Sequence, residues 1–548
     1  MQILFASLLA MGMTVLLIPP LMRNAGRLGV LDQPGTRKVH VTPIPRVGGI
    51  AMAIGILIAL LMWSSRSQLL VTYCSSMVVL LVFGVIDDRI ALTPRWKLLG
   101  QVIAALIVMT FAHVNVGSVH HLQSHEVPVW LSYPLTLLFI VGVTNAINLA
   151  DGLDGLAGGA TLLCLTGLAL LAFTGGSDFV AFAAVITIGA VLGFLRYNTH
   201  PARIFMGDAG SQLLGFSVAV MSLILTQDKD MLYSASLPLL LLGVPVIDTL
   251  TVMIERMLDG RSPFAADRTH VHHRLLSLGF KHHEAVMIIY GAQSIMLIMA
   301  WYLRYASDVI IVAVFVVLAM VIVAALRLAG KMRWRWRPDD EAVPYAVDSW
   351  LQCKLRWLYA GERLNRLMGY VIGASVIVYG CLVVINSISV PPDIRVLAGV
   401  AALIVLLSLV VRRAGRETGW LERAALYTSV LIAVYLDRLG TINPFVQFIV
   451  EGVLFGVLIA GIVVRMSFRT DRRFRITPLD VLVLIAAIAL PNLPGSMLSS
   501  YALGGMIWKT LLLFYAVENL SVTAGVQWRM LAGGTLMFLS AVALRAAV

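Results

Sequence analysis

The chain has 548 residues, of which 59% are hydrophobic and only 13% charged, with a mean hydropathy of +0.90. No soluble fold hides that much apolar surface, so the solvent is a bilayer. The net charge of +12 sits in short connections between apolar runs, which points to membrane topology and to anionic lipid or phosphate partners, and away from nucleic acid.

Runs long enough to span, at ~17–25 residues each, fall near 2–22, 47–64, 68–86, 98–114, 128–149, 158–175, 179–196, 209–226, 232–254, 286–303 and 307–327. They predict eleven helices in the first 330 residues. The first run lacks a basic flank and a clear small-residue cleavage site, so it reads as a membrane helix and not as a signal peptide. Cys74, Cys164, Cys353 and Cys381 lie far apart, with no CxxC or Cys/His ligand spacing, which argues against disulfides and zinc. Fifteen Lys and Arg fall in connections on one side of these helices, against Arg66, Lys229 and Arg304 on the other. The positive-inside rule makes the richer side cytoplasmic. After Arg327, KMRWRWRPDDE opens a polar linker at 331–367 whose Trp/Arg alternation suits a membrane surface. An apolar block at 368–548 adds five to seven helices. The predicted fold class is all-α, a polytopic integral membrane protein with its core at 1–330.

Five polar clusters interrupt this pattern, all on the predicted cytoplasmic side: RKVHVTPIPRVGG (37–49), DDRIALTPRWK (87–97), NAINLADGLDG (145–155), YNTHPARIFMGDAGS (197–211) and ERMLDGRSPFAADRTHVHHRLLSLGF (255–280). Asp87 and Asp88 end an apolar helix, where adjacent carboxylates repel and oppose the helix dipole; a solvated helix end beside Arg89 is the plainer alternative. Asp151 and Asp154, spaced i, i+3, share a helical face with Asn148 one turn earlier, among glycines that let a backbone or ligand approach; a polar helix junction would look similar. Asp208 precedes an apolar helix, where it either caps the N-terminus or holds Mg²⁺ beside phosphate. His270, His272 and His273 lie among Arg256, Arg261, Arg268 and Arg274, a pattern closer to a phosphate cradle than to zinc. Several carboxylates favour a hard divalent cation, Mg²⁺ or Mn²⁺, and the adjoining Arg and His favour a polyphosphate. The set suits phosphoryl transfer between a water-soluble and a lipid-borne substrate. No P-loop or kinase motif is present.

In chain order, D-x-P-x-x-R-K-x-H at 32–40, the Asp87–Asp88 pair, N-x-x-N-x-x-D-G-x-D-G at 145–155, M-G-D at 206–208 and H-x-H-H at 270–273 resemble the polyprenyl-phosphate N-acetylhexosamine-1-phosphate transferase family, within glycosyltransferase family 4. The likeness covers roughly residues 1–330. It implies Asp87, Asp88, Asp151 and Asp154 as catalytic acids. It also implies Asp208 with Asn198 at Mg²⁺. Asn148, Arg256, His270, His272 and His273 would then meet the nucleotide sugar, and Lys38 with His40 the lipid phosphate. The implied reaction moves N-acetylhexosamine 1-phosphate, GlcNAc-1-phosphate first among the options, from a UDP-sugar to undecaprenyl phosphate with release of UMP. That step starts O-antigen, exopolysaccharide or other envelope glycans at the bacterial inner membrane. A homodimer is a further implication. The family pattern gives the block at 368–548 no role. Two alternatives stay open: a secondary transporter, and an inactive scaffold for envelope-glycan assembly.

Overall fold

The computed structural model describes residues 2–33, 43–63, 66–117, 127–227, 233–262, 270–332, 362–387, 390–413, 419–437, 440, 444–467, 509–510, 512–517, 520 and 526–545. The chain divides into two compact units, with the main break between Glu341 and Ala342. The predicted linker at 331–367 lies almost wholly outside the described residues.

The first unit holds α1 (Gln2–Leu28), a short hairpin of β1 (Leu31–Asp32) and β2 (Ile44–Pro45), α2 (Gly48–Trp63), α3 (Gln68–Ile90), α4 (Pro94–Phe111), α5 (Val129–Ala150), α6 (Leu156–Gly175), α7 (Asp178–Asn198), α8 (Gly207–Gln227), α9 (Pro238–Leu241), α10 (Gly243–Leu258), α11 (Val271–Ser277), α12 (His282–Tyr302) and α13 (Asp308–Lys331). Ten of the eleven apolar runs each form a single helix over their described residues, and the run at 232–254 is divided between two. Nine described helices of the chain are long and apolar enough to cross a membrane, eight of them in this unit. The chain is an integral membrane protein.

Helix α8 is the hub. It is buried along almost its whole length, whereas α13 is exposed along most of its own. Small residues permit this, because close approach of backbones replaces the hydrophobic effect as the glue between helices in lipid. A Cβ added at Gly84 of α3 would collide with the Ala209 backbone, one at Gly49 of α2 with the Gly210 backbone, and one at Gly215 with Thr144 of α5 at 2.7 Å. Three helices therefore meet α8 at backbone distance.

The predicted run at 232–254 is not one helix. It breaks at Leu242 between α9 and α10. Proline cannot donate within a helix, and Pro238 and Pro245 flank the break. The loosened backbone is satisfied by Gln293 of α12, whose Nε2 donates to the Leu241 carbonyl (2.8 Å) and whose Oε1 accepts from the Val244 amide (3.0 Å). Irregular backbone at membrane depth survives where protein covers it. The hairpin was likewise not predicted. It pairs Leu31 with Pro45 and Asp32 with Ile44, each strand being too short to show a period.

The second unit contains α14 (Glu362–Asn386), α15 (Pro392–Arg413), α16 (Gly419–Asp437), α17 (Pro444–Ser467) and α18 (Val526–Leu544). Helix α18 packs on α14 and α15, and α14 also on α17. Lys509 Nζ lies 2.7 Å from Asp437 Oδ2 and 2.6 Å from Glu451 Oε2. Arg545 donates to the Val384 carbonyl and to Ser387 Oγ.

Candidate active site

The site grows from the junction of α3 and α8. Asp87 and Asp88 are both buried at the end of α3. Asp88 Oδ1 accepts from the Asp208 amide (2.9 Å) and Oδ2 from the Ala209 amide (3.2 Å). A carboxylate from another helix thus takes the orphan donors at the start of α8 and meets its positive dipole end. Gly207 has φ +70, and a Cβ there would sit inside the Asp88 carboxylate. This is why the residue before Asp208 is glycine. The segment around Pro45 to Gly49 fixes the same turn from the other side. Phe205 N donates to Pro45 O (2.8 Å), Gly48 N to Phe205 O (3.0 Å) and Gly49 N to Met206 O (2.9 Å).

With its helix already capped by Asp88, the Asp208 side chain is free for other work. Asn148 Nδ2 donates to Asp208 Oδ1 and to Ser211 Oγ, both at 2.7 Å. Lys97 of α4 lies 2.6 Å from Asp87 Oδ2 and 3.5 Å from Asp208 Oδ2. Arg46 pairs with Asp32 and stands 3.7 Å from Asp88 Oδ1. Asp151, at the end of α5, adds an exposed carboxylate within the field of Asp208 and Asp88. Its carboxyl is raised to about 7, first by desolvation in the recess and then by those like charges. Five carboxylates (Asp32, Asp87, Asp88, Asp151, Asp208) thus share one region with two cations, Arg46 and Lys97.

The NAINLADGLDG segment divides into two destinations. Asn148 and Asp151 belong to the acidic region, but Asp154 has other partners. Its Oδ2 accepts from His200 Nδ1 (2.7 Å) and the Ala202 amide (3.1 Å). Burial alone would raise the Asp154 carboxyl, but these two bonds outweigh it and hold it below the usual range. Asn198, predicted beside Asp208 at the metal, bonds here to two loop backbones. Its Oδ1 accepts from Gly155 N and its Nδ2 donates to Ile204 O, both at 2.9 Å. Both ends of the amide are engaged in joining two loops. Tyr290 OH reinforces the same turn by donating to Gly155 O at 2.6 Å.

The histidines form a second wall. His270 precedes α11, and His272 is on its first turn. Asp248 of α10 is buried and accepts from His270 Nδ1 at 3.0 Å and from Val271 N at 2.8 Å. His272 is buried against Gly152; a Cβ there would occupy the space of its ring. Desolvation, and then the neighbouring His273, push His272 down to about 4, so it is neutral. Arg256 is buried near the end of α10, and Glu255 pairs with Arg274 and, at 2.9 Å, with Arg327. Lys38 and His40 lie outside the described residues.

Sequence reasoning missed three charged groups here. Lys97 and Arg46 were counted only as topology markers, although both fall inside the quoted polar clusters. Asp248 carried a signal of its own, as an acid in the apolar run GVPVIDTLTVM, where an unpaired charge is costly.

Over residues 69–226 the chain matches the family model described as Glycosyl transferase family 4. It is 37% identical over 331 residues to a probable undecaprenyl-phosphate N-acetylglucosaminyl 1-phosphate transferase of Bacillus subtilis, covering 60% of this chain and 92% of that relative. It is 37% identical over 305 residues to the decaprenyl-phosphate N-acetylglucosaminephosphotransferase of Mycobacterium tuberculosis (50% of this chain, 75% of the relative). Against the undecaprenyl-phosphate alpha-N-acetylglucosaminyl 1-phosphate transferase of Escherichia coli O157:H7 it is 28% identical over 317 residues, covering 56% and 86%.

Proposed function

We propose that this chain, which belongs to glycosyl transferase family 4, transfers GlcNAc 1-phosphate from UDP-GlcNAc to undecaprenyl phosphate. It is a sugar-phosphate transferase by family. The acceptor, the donor and the cytoplasmic face of a bacterial inner membrane are our reading. The observation that carries it is the meeting of Asp87, Asp88, Asp151 and Asp208, from three separate inter-helix regions, where α3, α5 and α8 converge. In the proposed reaction an oxygen of the lipid phosphate bonds to the β-phosphorus of the nucleotide sugar. The bond from that phosphorus to the bridging oxygen breaks, and UMP leaves with the electron pair. The lipid phosphate has a second pKa near ~6 and is largely dianionic at neutral pH, so it needs little help from a base.

The donor chemistry fits a hard divalent cation: among the described residues five carboxylates share the region with two cations, and oxygen ligands suit Mg²⁺ or Mn²⁺. Asp208 and Asp87, now bridged by Lys97, would hold it together with Asp151. Bound there, it would neutralise diphosphate charge. Asp88 positions the backbone of α8. Asn148 orients Asp208. His270 and Arg256, on the second wall, take the diphosphate. Lys97 keeps Asp87 and Asp208 from repelling each other and is well placed to meet incoming phosphate.

Purified full-length chain, given labelled UDP-GlcNAc, undecaprenyl phosphate and Mg²⁺, is expected to form a lipid-linked GlcNAc diphosphate and one UMP per product. Removal of divalent cations with a chelator stops the reaction. Absence of both products with an undegraded, monodisperse protein would overturn the proposal.

A further inference from the structure

One cluster near the site is not used by this chemistry. Asp154 follows α5, His200 follows α7, and His282 opens α12. One ligand atom from each lies within 4.8 Å of the others. Among the described residues no other three His, Cys, Asp or Glu meet this condition, the acids around Asp208 included.

We infer that Asp154, His200 and His282 form a site for a transition-metal ion of the Zn²⁺ class, separate from the carboxylate site for Mg²⁺. Two imidazoles and one carboxylate are a borderline-soft donor set, which selects Zn²⁺, Co²⁺ or Ni²⁺ over Mg²⁺. The His200 and His282 rings stack with centroids 4.4 Å apart and 22° between planes, and Asp154 Oδ2 sits 2.7 Å from His200 Nδ1. His282 Nε2 is buried with no hydrogen-bond partner. That buried nitrogen, with no protein partner among the described residues, is a donor atom available to a metal beside the Asp154–His200 pair.

The three ligands come from three elements that bound the active site. Asp154 shares a turn with Asp151, and His200 begins the segment that leads to Asp208. A metal here would tie the Asp151 turn, that segment and the start of α12 together, and so fix the distance between Asp151 and Asp208. The role is a clamp. It adds no step to the transfer.

The test uses purified full-length protein stripped with a chelator and titrated with Co²⁺ in excess Mg²⁺. One equivalent is expected to bind with the visible d–d absorption of a four-coordinate N/O site, and Zn²⁺ is expected to bleach it. His282→Ala and His200→Phe each weaken binding at least tenfold. Asp208→Asn leaves it unchanged, so the result is independent of whether the chain transfers GlcNAc 1-phosphate. Zn²⁺ should also raise the melting temperature of the parent protein and not that of His282→Ala, the stripped forms melting alike. No absorption in the parent overturns the inference. So does absorption that survives His282→Ala, which would place the ion on His270, His272 and His273. If His282→Ala does not fold, His200→Phe and the Zn²⁺-dependent melting shift of the parent decide the matter.

Discussion

Both units bury charge among apolar helices, and they do so in different ways. In the second unit Lys509 is gripped by Asp437 and Glu451, and Arg545 spends its donors on Val384 and Ser387. These bonds join helix to helix and need nothing from outside. In the first unit, acids outnumber cations around Asp208 among the described residues, one carboxylate is open to solvent, and glycines bring backbones to contact distance. A charge buried in lipid costs several kcal/mol unless compensated. A closed network compensates it internally, while an open set of like charges also leaves a place for a cationic ligand. The contrast separates glue from chemistry, which a list of buried charges does not.

The strongest test substitutes one member of each set. Asp208→Asn keeps the shape and the bond from Asn148 but removes the charge. Transfer is expected to fall by about 10³-fold or more, with normal insertion and an unchanged elution profile. Lys509→Met should do the reverse. It leaves two acids without their cation, which costs about 3–5 kcal/mol in a buried network, seen as a lower melting temperature. Transfer per folded molecule stays as in the parent. If Lys509→Met stops transfer in folded protein, the second network is more than glue and the contrast fails.

Which parts of this contrast were legible beforehand depends on how local the signal is. The helices were, because each apolar run carries its own evidence. The acidic region was also legible, since Asp87, Asp88, Asp151 and Asp208 all stand at ends of apolar runs on one predicted side. Partner choice was not. Nothing in YNTHPARIFMGD distinguishes an asparagine facing a metal from one that staples Gly155 to Ile204. Sequence likewise offered Asp208 as the cap of α8, when the cap is Asp88 from α3, 120 residues away. The break at Leu242 was visible in Pro238, Gly243 and Pro245, but only the side chain of Gln293 explains why it is tolerated.

His272 sharpens the comparison through pH. Its ordinary value is 6.5, and burial depresses it to about 4 in the folded state. Between these values the unfolded chain binds the proton and the folded one does not. Stability is therefore full above about 6.5, falls as pH drops towards 4, and levels off below. The loss amounts to about 3 kcal/mol from a shift of this size. His272→Gln should flatten that part of the melting-temperature profile, while Lys509→Met should leave its slope in place. A profile that His272→Gln does not change would mean the ring is more solvated than its burial indicates.

Asp248 gives the smallest expected effect and the most specific one. Its two oxygens are divided, Oδ1 taking the Val271 amide and Oδ2 facing His270 Nδ1. A carboxylate accepts, so His270 turns an Nδ1–H to it and the ring is fixed in place; to donate to a diphosphate as well, Nε2 must carry the second proton of an imidazolium. Asp248→Asn can keep the Val271 bond through its remaining oxygen. Its amide then points a donor at Nδ1 and offers no acceptor to an imidazolium protonated on both nitrogens, so the form that can donate from Nε2 to phosphate loses its partner. The fold has no reason to change, so the melting temperature should match the parent. Transfer should fall by about 10–100-fold, the usual cost of losing the group that orients a working histidine, with the loss chiefly in KM for UDP-GlcNAc. Asp248→Glu restores an acceptor and should recover part of it. If Asp248→Asn instead lowers stability and leaves KM alone, Asp248 belongs with Lys509 among the residues that hold helices together, and the histidine wall is positioned by packing against Gly152.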